Sequence, residues 1–231
     1  FALWDKQERT LTLARDRMGE KPLYWGWQGD TLLFGSELKA LKAHPDFVGE
    51  IDRNALALLL RHNYIPAPHS IYKGIHKLPA GHYVTIPHGA GPADVQPKAY
   101  WHMNDAVQSG LAHPFTGSDA QAVDALEAQL TESVGLQMLA DVPLGAFLSG
   151  GVDSSTVVAL MQKQSQQRVR TFAIGFDEPG YNEAEHAKAV AQHLGTDHAE
   201  LYVGAAEALA LVPKLPIIYC EPFADSSQIP T

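Results

Sequence analysis

The chain has 231 residues, of which 45% are hydrophobic, and its formal net charge at pH 7 is −9. This length allows two modest globular domains, and the acidic balance argues against a general nucleic-acid binder because a phosphate backbone would be repelled. The single cysteine, Cys220, excludes an internal disulfide, and no apolar stretch is long enough to cross a bilayer, so we expect a cytoplasmic protein with neither nucleic acid nor membrane as a partner.

The first part of the chain is rich in short strand patterns. They occupy residues 1–4, 11–14, 23–27, 31–34 and 82–86, and Gln28-Gly29-Asp30 is typical of a hairpin turn. Ser36 and Asp52 are each expected to cap a helix, the first running through Leu41 and the second stopped by Pro66 and Pro68. Residues 87–97 are rich in glycine and proline and indicate a loop.

The second part alternates between helices and strands. A capping box at Ser118 to Gln121 opens a helix, and the boundary between the two parts lies between Tyr100 and Ser118. The elements that follow are strand 145–148, helix 154–164, strand 171–176, helix 183–194 and strand 199–203. This alternation predicts a parallel sheet, with any ligand at the carboxyl ends of its strands.

The turn between strand 145–148 and the following helix has an unusual composition. The stretch from Leu148 to Ser155 reads Leu-Ser-Gly-Gly-Val-Asp-Ser-Ser. Because Gly150 and Gly151 lack a Cβ, the backbone can turn tightly and bring its N–H groups to an anion at the helix N-terminus. The turn therefore predicts a phosphate site.

Polar side chains in the same turn refine this prediction. The hydroxyls of Ser149, Ser154 and Ser155 can donate to phosphate oxygens, whereas the carboxylate of Asp153 would repel a phosphate unless Mg²⁺ lay between them. A magnesium–nucleotide site is the expectation. The alternative is a serine-capped helix after a glycine turn, with Asp153 as an ordinary acid of the first helical turn.

The order Ser-Gly-Gly-Xaa-Asp-Ser resembles the pyrophosphate-binding loop of the ATP pyrophosphatases. Together with residues 15–24, 35–41 and 221–231, it resembles the glutamine-hydrolysing asparagine synthetases over essentially the whole chain. The resemblance implies a two-domain α/β chain. Residues 1–110 would be the C-terminal part of an N-terminal-nucleophile-type α+β amidotransferase domain with a linker, and residues 111–231 the first part of a parallel-sheet ATP-pyrophosphatase domain.

The resemblance also implies an activity. Ammonia released from glutamine would pass through an internal tunnel to the synthetase domain, where ATP and Mg²⁺ serve to adenylate the aspartate side chain and ammonia displaces AMP. Glutamine and aspartate are the implied substrates, and a homodimer is an open alternative to a monomer. Two rivals remain open: an enzyme of the same fold that amidates another carboxylate, such as a sugar carboxylate, and a non-catalytic nucleotide-binding module.

The resemblance assigns roles to individual residues. Asp16 would bind the α-amino group of glutamine, the alternative being an exposed ion pair with Arg15 or Arg17. Leu148 would lie near the adenosine, and Ile174 would face the adenine unless it belongs only to the core. The pyrophosphate and magnesium site would comprise Ser149, Gly150, Gly151, Asp153 and Ser154, with Asp153 at the metal.

Other residues carry weaker expectations. Asp225, Ser226 and Ser227 resemble a family stretch beside the synthetase cleft, with a helix cap as the alternative. His186, His193 and His198 are expected on polar surfaces rather than at a metal.

The expected amidotransferase nucleophile, a cysteine at the mature N-terminus, is absent, because residue 1 is Phe1. Cys220 is interpreted as a small buried hydrophobe, so no catalytic residue is assigned within the chain. An interior piece of a longer enzyme and a chain that has lost glutaminase chemistry are both possible explanations. The first is favoured, and the 231 residues alone are expected to be inactive.

Overall fold

A computed structural model of the chain describes residues 1–176, 183–225 and 227–229. The described backbone divides into two compact units. The first unit comprises Phe1–Pro114 together with Pro213–Ile229, and the second comprises Phe115–Val212. The chain therefore leaves the first unit, forms the second, and returns to the first.

The first unit contains two antiparallel sheets. The strands are β1 (Ala2–Asp5), β2 (Thr10–Ala14), β3 (Tyr24–Gln28), β4 (Thr31–Gly35), β5 (Ile75–Lys77), β6 (His82–Pro87) and β7 (Lys98–Ala99). One sheet has the order β1-β2-β6-β7 and the other β4-β3-β5. The predicted hairpin at Gln28-Gly29-Asp30 is confirmed, since β3 and β4 pair from Tyr24 with Gly35 to Gln28 with Thr31.

The two faces of β3 serve different cores. Trp25 joins Leu13 and Val84 in a cluster between the two sheets. Tyr24, one residue earlier, joins Leu38 and Ala55 in a cluster between the second sheet and the helices. This alternation follows from the two-residue period of a strand.

Three helices of the first unit are α1 (Leu38–Lys42), α2 (Arg53–His62) and α3 (Met103–Ala112). The predicted cap of α2 is confirmed, because the Asp52 carboxylate accepts a hydrogen bond from the Asn54 N–H at 2.9 Å. The prediction that Ser36 caps α1 is wrong. The N-cap residue is Glu37, whose backbone is extended and whose side chain makes no capping bond, so Ser36 lies one residue outside the helix.

The second unit has the predicted alternation of elements. These are α4 (Asp119–Gln137), β8 (Gly145–Phe147), α5 (Val152–Gln164), β9 (Arg170–Phe176), α6 (Ala184–Leu194), β10 (Asp197–Val203) and α7 (Ala205–Leu211). Strand β9 lies between β10 and β8 and is parallel to both, which confirms the parallel sheet. The capping box before α4 is also confirmed, since Ser118 and Gln121 bond reciprocally.

His198 is one correction to the sequence analysis, which placed it on a polar surface. Its side chain is only 10% exposed, and its Nδ1 lies 2.9 Å from the Thr171 hydroxyl, which in turn lies 2.9 Å from the Thr196 hydroxyl. His186 and His193 are exposed, as predicted. Polar residues alternate along β10, a pattern that predicts a solvated face. In the structure that face packs on α6 and contains the hydrogen-bonded side chains of Thr171, Thr196 and His198.

Residues 213–229, hereafter the terminal segment, include the short helix α8 (Leu215–Ile218). Cys220 is half-buried and packs against the helix-side core of the first unit. No helix in the described part of the chain is both long and apolar enough to cross a membrane.

Candidate functional site

The predicted phosphate loop leaves the carboxyl end of β8. The N–H of Leu148 donates to the carbonyl of Phe172 on β9 at 2.8 Å, and the Leu148 side chain is 1% exposed. Helix α5 begins at Val152, with Gly151 as its N-cap residue. The loop is therefore anchored on the sheet at one end and on a helix N-terminus at the other, an arrangement that suits anion binding.

Gly150 is fixed by both its backbone and its neighbours. Its φ is +78°, a left-handed conformation that favours glycine. A Cβ at this position would lie 2.8 Å from the backbone N of Ala187 and 2.8 Å from the carbonyl carbon of His186, both on α6. The loop can pack this closely against α6 only because residue 150 has no side chain.

The hydroxyls of Ser149 and Ser154 meet above the helix start. Their oxygens are 3.0 Å apart, and the Gly151 N–H reaches the Ser149 hydroxyl at 3.4 Å. The expectation that Ser155 also offers its hydroxyl to phosphate is wrong for this conformation. Its Oγ is buried and has no hydrogen-bond partner among the described residues.

Asp153 lies in the first turn of α5 and is exposed. No cluster of three or more histidine, cysteine, aspartate or glutamate side chains that could hold a metal occurs in the described part of the chain. A magnesium ion that binds nucleotide phosphates commonly uses only one or two carboxylates and completes its shell with phosphate and water oxygens. Asp153 beside a glycine loop fits that donor set.

Ile174 lies at the same edge of the sheet as the loop. Phe172 contacts the start of the loop, and Ile174 is two residues further toward the carboxyl end of β9. The Ile174 side chain is half-buried, and it alternates with the buried Thr171, Ala173 and Gly175. It therefore faces away from the α6 side of the sheet.

Asp16 lies in the turn that connects β2 to β3 in the first unit. Its two carboxylate oxygens accept hydrogen bonds from the N–H groups of Glu20, at 2.8 Å, and Lys21, at 3.1 Å. Burial raises the pKa of the Asp16 carboxyl, but the hydrogen bonds from Lys21 and Glu20 outweigh it and hold the pKa below its ordinary value. The carboxylate is ionised at neutral pH.

Arg15 does not serve as the ion-pair partner of Asp16. Its guanidinium donates to three carbonyls, those of Gly19 at 2.7 Å, Leu78 at 2.9 Å and Lys21 at 3.0 Å. The guanidinium thus stiffens the turn, while each Asp16 oxygen keeps a further acceptor position for a ligand.

A cavity of about 730 Å³ in the first unit adjoins Asp16. Phe34 and Ser36 line another part of it, together with Tyr100. The Tyr100 hydroxyl donates to the Arg15 carbonyl at 2.8 Å. Sequence reasoning missed Tyr100 because it lies far along the chain and in no recognisable motif. The size suits a small-molecule ligand.

Asp225 and Ser227 form a turn. The Asp225 carboxylate accepts from the N–H of Ser227 at 2.7 Å and from its hydroxyl at 2.6 Å, and these bonds lower the Asp225 pKa. Within the described residues, which end at residue 229, no helix follows this turn. Ser226, which the sequence analysis grouped with them, lies outside the described residues.

Comparisons with known families match the two parts of the chain separately. Residues 1–101 match the family described as glutamine amidotransferase domain, and residues 125–231 match the family described as asparagine synthase. The chain thus combines an amidotransferase part with a synthetase part.

Whole-length relatives carry the same combination. The alignments cover the whole of this chain. It is 33% identical to a protein of Methanocaldococcus jannaschii, 35% identical to one of Mycobacterium bovis and 32% identical to one of Bacillus subtilis, and all three are named as glutamine-hydrolysing asparagine synthetases. The chain spans 44%, 35% and 34% of their respective lengths. Both parts of the chain are therefore similar to glutamine-hydrolysing asparagine synthetases.

Proposed function

We propose that the protein to which this chain belongs makes asparagine from aspartate, glutamine and ATP. In this reaction the aspartate side-chain carboxylate attacks the α-phosphorus of ATP and pyrophosphate leaves. Ammonia, released by hydrolysis of glutamine to glutamate, then attacks the activated carbonyl and AMP leaves. Residues 1–110 would serve the glutamine half of the reaction, and residues 111–231 the ATP half.

The observation that carries this proposal is the loop between β8 and α5. Pyrophosphate gains negative charge as it leaves, and fixed donors that already face it lower the barrier. The N–H groups of Gly150 and Gly151, the hydroxyls of Ser149 and Ser154 and the start of α5 would supply such donors. Leu148 would support the adenosine, and Ile174, at the same edge of the sheet, would contact the adenine.

Asp153 would hold magnesium against the phosphates. A bound Mg²⁺ would supply charge neutralisation between the phosphate oxygens and this carboxylate. The protein's own contribution is to keep Asp153 at the helix start, where a carboxylate and the loop donors can act on the same phosphate group.

Asp16 would bind the α-amino group of glutamine. An ionised carboxylate with a free acceptor position, adjoining a cavity of small-molecule size, has the chemistry that an ammonium group needs. Its bonds to Glu20 and Lys21 would keep the carboxylate oriented before glutamine arrives.

The test uses the full-length protein with aspartate, glutamine, ATP and Mg²⁺. We expect asparagine, AMP and pyrophosphate in equal amounts, and Asp153→Asn should lower the rate by about a hundredfold or more. Asp119→Asn is the matched control, because Asp119 is also an exposed acid in a first helical turn of the second unit. A screen of other carboxylic acids decides the acceptor, and failure of aspartate in the parent protein contradicts the proposal.

A further inference from the structure

The terminal segment is held to the rest of the first unit by contacts along its length. Beginning at Ile218 and ending at Ala224, four hydrogen bonds that each involve a backbone atom join its described residues to the first part of the chain. They are Lys39 Nζ to the Ile218 carbonyl, Leu38 N–H to Cys220 Sγ, Ile71 N–H to Glu221 Oε1 and Ala224 N–H to the Asn63 carbonyl, at 3.4, 3.2, 2.8 and 2.8 Å. The terminal segment is therefore held at several residues between Ile218 and Ala224 and not at one.

Glu221 makes the ion pair among these contacts. Its side chain is 9% exposed and forms an ion pair with Lys77, whose side chain is 18% exposed. Lys77 also donates to the carbonyl of Ile65. A pair this buried is retained only when both charges are well partnered, so removal of one charge leaves the other without compensation.

The same contacts lead to the turn between β2 and β3, residues 15–23, which carries Asp16 and is called the glutamine turn below. Lys77 is the last residue of β5, and the next residue, Leu78, accepts a hydrogen bond from the Arg15 guanidinium at 2.9 Å. The Leu78 N–H donates to the Leu23 carbonyl, also at 2.9 Å. Glu221 is thus joined through β5 to the turn that carries Asp16.

In the other direction, Glu221 precedes the Asp225 turn by four residues. By sequence, this stretch belongs to the part that matches the asparagine synthase family, residues 125–231. By packing, it belongs to the unit that contains Asp16. The described residues of the terminal segment thus belong both to the asparagine synthase match and to the first unit.

We propose that Glu221 is a positioning residue for the use of glutamine nitrogen. By pairing with Lys77 it keeps the terminal segment, and with it the Asp225 turn, in a fixed place relative to the glutamine turn. This inference rests on the proposed function. Loss of the pair lets the segment shift, and a shift of this kind lowers the share of released ammonia that reaches the activated acceptor without stopping glutamine hydrolysis.

The test measures glutamate and asparagine formed by the full-length protein at saturating substrates. Glu221→Gln retains an oxygen that can accept from the Ile71 N–H but removes the charge that Lys77 requires. We expect the ratio of glutamate to asparagine to rise by about threefold or more, with ammonium-supported synthesis within about twofold of the parent. A purely structural role would lower both activities together and leave the ratio unchanged, and that result overturns the proposal.

Glu50→Gln is the matched control, because Glu50 forms an ion pair with Lys73 in the same unit with both side chains more than half exposed. Its ratio should equal that of the parent, and a rise as large as that of Glu221→Gln overturns the proposal. If Glu221→Gln does not fold, Cys220→Ala replaces it, since that change removes the acceptor of the Leu38 N–H and the packing of one sulfur atom but no charge. An unchanged ratio in Cys220→Ala then counts against the proposal.

A second measurement does not depend on the acceptor. Amide hydrogen exchange over residues 218–224 of the full-length protein should be faster in Glu221→Gln than in the parent, and unchanged exchange overturns the positioning role. A parent protein that makes no asparagine contradicts the proposed function instead, and the exchange comparison still decides the role of Glu221.

Discussion

At the scale of single residues, Gly150 has two separate reasons to lack a side chain. Its φ is positive, and α6 lies where a Cβ would be. Gly195 shares the first reason but not the second, because its φ is +72° and no atom lies within 4 Å of its Cβ position. The two glycines therefore separate backbone strain from steric overlap.

Gly150→Ala should abolish most of the rise in thermal midpoint that ATP and Mg²⁺ produce in the full-length protein. Strain alone costs about 1–3 kcal/mol, and relief of the overlap with Ala187 requires the phosphate loop to move. Gly195→Ala should lower the midpoint without ligand but keep the shift that ATP produces. Equal ATP-induced shifts in the two variants would show that the loop does not hold the nucleotide.

Asp16→Asn should raise the KM for glutamine by the equivalent of about 1.5–3 kcal/mol, the usual contribution of a charged hydrogen bond. Ammonium-supported synthesis should not change, and Asp30→Asn, an exposed turn acid, is the control. An equal rise in the KM of both variants would remove Asp16 from the glutamine site.

The lowered pKa of Asp16 adds a pH criterion. The pKa of Asp16 in the folded chain lies below the unfolded value of about 3.9. The ionised carboxylate and its hydrogen bonds therefore stabilise the folded chain above that pH, and this stabilisation is lost as the pH falls through the folded pKa. The ratio of the two KM values for glutamine, variant over parent, should therefore stay constant between about pH 5 and 8. A ratio that varies within this range would contradict the bond pattern around the carboxylate.

At the scale of elements, β9 and β10 share a buried polar network at their amino-terminal ends. Thr171, on β9, is fully buried and contacts both Thr196 and His198. On the far side of the His198 ring, Glu200 Oε1 lies 3.8 Å from Nε2, and Lys188 approaches Glu200 at 3.5 Å. The network thus ties the two strands to α6.

Thr171→Val keeps the shape of the side chain and removes its hydroxyl. We expect the opening free energy of β9 to fall by about 1–3 kcal/mol, because Nδ1 of His198 loses its partner in a buried place. Hydrogen exchange at residues 171–176 measures this change. Thr85→Val, which removes an exposed hydroxyl that lies 3.3 Å from that of Thr12, should change stability by less than about 0.5 kcal/mol.

The elements that sequence reasoning predicted are those with local signals. Asp52 caps α2 through a bond two residues away, and the β3–β4 turn is defined by Gln28-Gly29-Asp30. The short strands β5 and β7 were missed because two or three residues carry no period, and β5 exists only through its pairing with β3. Helix α3 was missed because its described residues bury no apolar face.

The candidate sites divide in the same way. A tight turn between β8 and α5 could be predicted from Gly150 and Gly151 because its residues are contiguous, and its role as a phosphate site stays a prediction. The bond from Tyr100 to the Arg15 carbonyl beside the cavity and the contact between Lys77 and Glu221 could not be predicted, since each joins distant parts of the sequence.

At the scale of the whole molecule, the first unit is assembled from two stretches of chain that are synthesised at different times. Residues 1–114 leave the ribosome before residues 115–231. The helix-side core that holds Tyr24, Leu38 and Ile71 therefore receives Cys220 only after the second unit has been synthesised. Until then its apolar surface and the unpaired Lys77 remain exposed in the nascent chain. The described residues of the second unit, by contrast, come from a single stretch, Phe115–Val212.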